Sequence, residues 1–127
     1  MKKQDLPLSP HLQIYKPQIT SLLSISHRIS GVALNFVLVI LVLGLLCITL
    51  GESYFELLIS LINSFPIKII IFLAILGFSY HFLNGIRHII WDFGFLLGNR
   101  SSAIFGYIII ATSFISSILI SRLLGLF

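Results

Sequence analysis

The chain has 127 residues, of which 57% are hydrophobic and only 9% charged, and its mean hydropathy is +1.09. A soluble domain of this length would carry about a quarter charged residues, so the composition excludes an ordinary soluble enzyme and leaves one membrane domain over residues 1–127. The formal charge of +4 comes from scattered basic residues, which argues against nucleic acid, and the single Cys47 excludes an internal disulfide or a multi-cysteine metal site.

Residues 1–28 are mixed in character and include Pro7, Pro10 and Pro17. They show no cleavable signal, and we read them as a retained N-terminal segment on one side of the bilayer. From Gly31 to Leu50 the chain carries no charge. As helix that run is about 30 Å long, the thickness of a hydrocarbon core. The second apolar run opens at Pro66, which suits a first helical turn, and Lys68 lies near enough to its end to snorkel. The third is the uncharged stretch Ser101–Ser121, closed by Arg122. Spans are therefore expected at about 29–50, 66–91 and 101–123. Each must be helical, because an isolated strand leaves its backbone polar groups unpaired in lipid.

Lys2, Lys3, Lys16, Arg28, Arg87 and Arg100 fall on one side of these spans, whereas Lys68 and Arg122 fall towards the other. This asymmetry puts the N-terminus and the connection between spans two and three on the cytoplasmic or matrix side. The connection between spans one and two, Gly51–Phe65, has Glu52 and Glu56 but no Lys or Arg, and reads as a solvated outer loop. Three helices enclose a ligand poorly. The expected fold class is thus an all-α membrane protein with three transmembrane helices, forming part of a heteromeric helix bundle.

Span two holds the residue most in need of an explanation. His81 continues the apolar run Ile69–Phe78, where an ionisable group costs about 2.5 kcal/mol or more to insert. His81, Gly85 and His88 follow at i, i+4 and i+7, on one helix face. Gly85 removes bulk from the middle of that face, where a flat ligand or another helix could approach. An imidazole in an apolar bundle is a natural axial ligand for haem iron, with its second nitrogen needing a hydrogen-bond acceptor. Arg87 and His88 then become candidates for haem propionates. The plainer alternatives are an interhelical hydrogen bond for His81 and interfacial snorkelling for Arg87 and His88.

A second constellation, Ser24-Ile25-Ser26-His27-Arg28-Ile29-Ser30-Gly31, precedes the first span. If it is already helical, Ser24 and Arg28 are i, i+4 neighbours. A hydroxyl and a guanidinium there could bind quinone carbonyl oxygens, the cation stabilising a reduced ring. The alternative is a helix cap with a positive flank. Trp91 and Asp92 read as an aromatic-belt anchor and a span end. No Gly-rich phosphate loop, nucleophile–base pair or intramembrane carboxylate pair is present.

Three segments together resemble the large cytochrome b membrane-anchor subunits of succinate dehydrogenase. They are Leu8-Ser9-Pro10-His11-Leu12-Gln13-Ile14-Tyr15-Lys16-Pro17, like the family's N-terminal SPHLxIY; Ser24–Gly31, like S-x-x-H-R-x-[ST]-G; and His81–His88 with Asp92, like H-x-x-x-G-x-R-H-x-x-x-D. The resemblance covers almost the whole chain, and Leu6 departs from the arginine or asparagine frequent in that family. It implies that His81 is an axial ligand of haem b shared with a small membrane-anchor subunit, which supplies the opposite histidine. His27, Arg28 and His88 would lie near the propionates, and Ser24, Ile25 and Arg28 would line a ubiquinone site. It further implies iron-sulfur and flavoprotein subunits on the cytoplasmic or matrix face, electron transfer from succinate to ubiquinone, and an inner-membrane location. Two other readings stay open: a structural or assembly protein without a redox cofactor, and a fumarate reductase anchor.

Overall fold

The computed structural model describes residues 17–127. Lys2, Lys3, Leu6 and the segment through Lys16, which carry part of the charge argument and the first resemblance, lie outside the described residues. The described chain folds into four helices: α1 (Ile19–Thr49), α2 (Glu52–Asn63), α3 (Phe65–Asp92) and α4 (Asn99–Leu123). Of these, α1, α3 and α4 are long and apolar enough to cross a membrane.

Each boundary has a local cause. Pro17 precedes the extended Gln18, whose carbonyl accepts the amides of Ser21 and Leu22 to open α1. At 31 residues α1 is about 46 Å long, well beyond the apolar run from Gly31, so the Ser24–Gly31 constellation lies within regular helix. The break between α1 and α2 falls at Gly51, whose φ of 115° other residues rarely adopt. Pro66 stands in the first turn of α3, as its position suggests. The end of α4 is a Schellman closure: the Leu126 amide donates to Ser121 O and the Gly125 amide to Arg122 O.

Helix α2 occupies the stretch expected to be a solvated loop. Glu52, Glu56, Ser60 and Asn63 fall at i, i+4, i+8 and i+11 along one edge, with Tyr54, Leu58, Leu61 and Ile62 opposite. At 12 residues it is too short to span and too strongly two-faced to sit in hydrocarbon. Length-based reading for spans passes over such an element.

Helix α3 is central and packs against α1, α2 and α4. Its seam with α4 is small and polar. Ser102, Gly106, Ile109, Ser113, Ser117 and Ser121 form the buried stripe of α4, facing Ser79, Asn84 and Arg87 of α3. Among the described residues the only buried apolar side chains are Leu23, Ile109 and Leu126. This inverts the arrangement of a soluble bundle. Lipid is as apolar as leucine, so leucine gains little by facing another helix, whereas small residues let backbones approach. The serine hydroxyls are satisfied within the helix where Ser113 donates to Ile109 O at 2.7 Å and Ser116 to Ser113 O at 3.1 Å. Leu23 of α1 lies over Gly106 of α4, where a Cβ would collide with it.

Candidate functional site

The antiparallel pairing of α1 with α3 brings His27 level with His81. The two rings stack at 4.1 Å between centroids, 17° from parallel. They also exchange hydrogen bonds with each other's backbone. His27 Nε2 donates to His81 O at 3.2 Å, and His81 Nδ1 donates to His27 O at 3.2 Å. A carbonyl oxygen can only accept, so the ring proton of His81 sits on Nδ1. Ser30 Oγ donates to the same His27 carbonyl at 2.8 Å and lies 3.1 Å from His81 Nδ1. His81 Nε2 has no hydrogen-bond partner among the described residues and is not enclosed by the chain.

His88, two turns beyond His81, closes the cluster. Its ring lies 5.1 Å from that of His27 and 5.1 Å edge-on from that of Trp91. All three histidines are half-buried. The face shared by His81, Gly85 and His88 thus receives a side chain from α1, and a Cβ on Gly85 would make only ordinary contact, 3.9 Å from His27 Nε2. The close approach occurs on the other helix: a Cβ on Gly31 would stand 2.9 Å from His81 Cε1.

The remaining sequence-derived candidates lie on α1. Ser24 is half-buried, while Ile25 and Arg28 are exposed. Ser24 and Arg28 share a face, and a shallow groove lined by Arg28, Ile29, Val32, Ala33 and Phe36 runs along α1 from the guanidinium. No ion pair or hydrogen bond links these residues to the histidine cluster, although Arg28 directly follows His27. A larger cleft of about 500 Å³ opens between α1, α3 and α4 with Leu22, Ser26, Gly77, Tyr80, Ser113 and Phe114 in its walls. It contains neither the histidines nor Ser24, Ile25 or Arg28. Its lining is mostly apolar, with the hydroxyl-bearing Ser26, Tyr80 and Ser113 among its walls.

Arg87 is not where a propionate ligand or an interfacial anchor would be. Successive helical residues turn by about 100°, which carries Arg87 away from the face of His81 and His88 and into the seam with α4. There it is fully buried. Nη2 donates to Ser102 Oγ at 2.8 Å and Ser102 O at 3.2 Å, and Nη1 to Asn84 Oδ1 at 3.3 Å. The guanidinium also lies 4.1 Å from the centroid of the Trp91 ring. Trp91 is therefore a half-buried partner of Arg87 and His88 and not a free belt anchor, while Asp92 is exposed. Charge-assisted hydrogen bonds and the cation–π contact offset the cost of a buried cation with no carboxylate partner among the described residues.

Ser30 and Gly31 close the second sequence motif without a role being assigned to them, and Tyr80, Asn84 and Ser102 carry no sequence signal of their own. Tyr80 donates its hydroxyl to Leu23 O at 2.8 Å, tying α3 to α1 one residue before His81. Asn84, Arg87 and Trp91 stand at i, i+3 and i+7, a spacing that could have revealed a second polar face on α3.

A multi-pass helical membrane protein with imidazoles gathered between its first two spans, and a polar seam between its second and third, is the class that this fold and site define. The family is named by the comparisons. Residues 2–120 match the succinate dehydrogenase/fumarate reductase transmembrane subunit family, and the chain belongs to it. Among its relatives is the succinate dehydrogenase cytochrome b556 subunit of Rickettsia typhi, 42% identical over 114 residues, covering 90% of this chain and 89% of that protein. The cytochrome b560 subunit of Marchantia polymorpha is 45% identical over 101 residues, covering 75% and 73% of the two chains. That of Chondrus crispus is 44% identical over 104 residues, covering 76% and 78%. Membership makes this chain a membrane-spanning subunit of an enzyme complex, as the resemblance implied.

Proposed function

We propose that this chain is the large cytochrome b anchor of a succinate:ubiquinone oxidoreductase, that His81 Nε2 is an axial ligand of haem b, and that Ser24, Ile25 and Arg28 line a ubiquinone site. The observation that carries the reading is the state of His81. Its Nδ1 proton is held by the α1 backbone, which leaves the Nε2 lone pair free, and the ring seats against the bare Cα of Gly31, where a Cβ would stand 2.9 Å from Cε1. The donor set thus suits a haem iron at one axial position. Bound there, haem supplies a one-electron carrier within the membrane. The family resemblance implies that a second haem ligand would come from a small anchor subunit; within this chain His27 and His88 pack beside the His81 ring.

The chain's own residues then divide the work. His27 stacks on His81 and limits its rotation. Arg28 offers positive charge and His88 a ring nitrogen to haem carboxylates near the start of α1 and the end of α3, with His27, whose Nε2 proton goes to His81 O, packed beside them. For quinone, the exposed Arg28 guanidinium donates to a carbonyl oxygen and opposes the charge that builds on it during reduction. The Ser24 hydroxyl, one turn away, orients the ring, and Ile25 packs against it. The groove from Arg28 to Phe36 suits the first part of an isoprenoid tail. Iron-sulfur and flavoprotein subunits dock on the cytoplasmic or matrix side, where α1 begins and α3 ends. The protein then lies in a bacterial or mitochondrial inner membrane with its N-terminus on that side.

The test is a reduced-minus-oxidised visible spectrum of the complex purified with its partners. A b-type α band is expected in the native complex and its loss in His81→Ala. An unchanged band in His81→Ala would overturn the ligand assignment, and no band in an intact native complex would leave the chain a structural anchor.

A further inference from the structure

Ser30 has no part in the reading above and Gly31 enters it only as a bare surface beside the ring, yet both close around one edge of His81. We propose that Ser30, through its hydroxyl and the His27 carbonyl it touches, and Gly31, through its missing side chain, are positioning residues that hold His81 in one tautomer and one plane and thereby tune the redox potential of the group it ligates. The inference rests on His81 being the haem ligand.

The geometry closes on a single proton arrangement. Ser30 directs its own hydrogen to His27 O at 2.8 Å, which leaves its oxygen lone pairs facing His81 Nδ1 at 3.1 Å. His81 Nδ1 is also 3.2 Å from His27 O. One N–H therefore lies between two acceptors, and the two acceptors are themselves joined. With the ring proton moved to Nε2, the Nδ1 lone pair would face the carbonyl lone pairs instead, and the metal-binding nitrogen would be blocked. A pure apolar pocket could hold the ring but would not choose between these states.

Gly31 supplies the second restraint. Its absent Cβ would stand 2.9 Å from His81 Cε1, 3.5 Å from Nδ1 and 3.9 Å from Nε2. Cε1 lies between the two nitrogens, so a methyl group there must tilt the ring. Any such tilt draws Nδ1 from its acceptors and swings the Nε2 lone pair in the same movement. The stack on His27 at 4.1 Å limits escape in the perpendicular direction.

The electronic consequence follows from the hydrogen bond. Acceptors on Nδ1–H give an imidazole more imidazolate character and make Nε2 a stronger donor. That favours the oxidised, more positive iron and lowers its potential. Removing the Ser30 oxygen weakens this effect, while the His27 carbonyl still holds the tautomer.

The decisive experiment uses the assembled complex carrying Ser30→Ala, Ser30→Thr, Gly31→Ala or His81→Ala. Haem content, the midpoint potential of the b band and the low-spin ferric EPR signal are read for each. Ser30→Ala should keep its haem, raise the midpoint potential and shift the EPR signal, and Ser30→Thr should return both towards native. Gly31→Ala should lose at least half of the haem. A merely structural serine would alter haem content or stability but not the potential at equal haem content. Native potential and EPR signal in Ser30→Ala would overturn the proposal, and this variant decides the matter even if Gly31→Ala fails to assemble. Failure of the underlying ligand reading looks different: His81→Ala would then retain the native haem signals.

Discussion

The buried Arg87 makes a quantitative claim about how α3 and α4 are joined. Ser102→Ala removes the shortest of its hydrogen bonds, the one of 2.8 Å to Oγ. Hydrogen bonds to charged groups contribute about 1.5–3 kcal/mol in soluble proteins, whereas interhelical pairs in membranes average about 0.6 kcal/mol and reach about 1.7 kcal/mol. The guanidinium keeps the Ser102 carbonyl at 3.2 Å and Asn84 Oδ1 at 3.3 Å after the change. The higher range therefore does not apply, and the expected cost is about 1 kcal/mol, roughly fivefold in the folded-to-unfolded ratio.

Magnitude alone would not identify the cause, so the test is a double-mutant cycle with Arg87→Met. Methionine keeps an apolar stem beside Trp91 but removes the charge, and with it the need for the Ser102 oxygen. Replacing a buried charge by an apolar group of similar volume is often close to neutral, while stranding the charge is not. Ser102→Ala should thus cost little in the Arg87→Met background, giving a coupling of about 1 kcal/mol. The assay heats the purified complex in mild detergent and follows retention of this chain on native gels. Additive effects, with no coupling, would refute the account of the α3–α4 seam as an arginine lock.

Two further outcomes are expected. Arg28→Ala should impair ubiquinone reduction by about 2 kcal/mol of lost transition-state stabilisation, some 30-fold, while succinate oxidation by a soluble dye is spared. Equal loss of both activities would point to failed assembly instead. For α2, single cysteines at Glu56 and Leu61 in a Cys47→Ser background should differ. The Glu56 site should react with a membrane-impermeant maleimide and the Leu61 site should not, though both side chains are exposed on the isolated chain. Equal labelling would show that the polar edge of α2 does not face water.

The spans were legible because lipid leaves the chain no choice: long uncharged runs must become helices, and charges must end them. Facing was harder to read. The period of a helix shows which residues share a face but not what meets that face, and Gly85 and Gly31 differ only in that respect. Both are glycines beside a histidine motif, yet only at Gly31 does the neighbouring ring approach closely enough to forbid a side chain. Arg87 misled for the same reason. A cation near the end of an apolar run ordinarily reaches for the interface, and its true direction is set by Ser102, fifteen residues on in the next helix. Helix α2 was hidden by its shortness, because the composition of an interfacial helix averages to that of a loop.

The two seams of α3 assign different consequences to changes on either side of it. Towards α4 the contacts are small hydroxyls and one enclosed cation, an arrangement that fixes distance and register although Asn84 Nδ2, Arg87 Nε and Ser121 Oγ are buried there without partners among the described residues. Towards α1 the contacts are imidazoles, a carbonyl and a serine that leave one lone pair unused. A helix held on one side can present a ligand reproducibly on the other, because His81 then moves only as far as α1 moves relative to a fixed α3. Damage to the α3–α4 seam should therefore reach the redox site as loss of whole complexes, with survivors of native potential. Damage to the α1–α3 seam should alter the potential of complexes that remain intact. In the proposed reading the chemistry and the scaffold are carried by different faces of the same helix, and His81 and Arg87, six residues and about 120° apart, belong one to each.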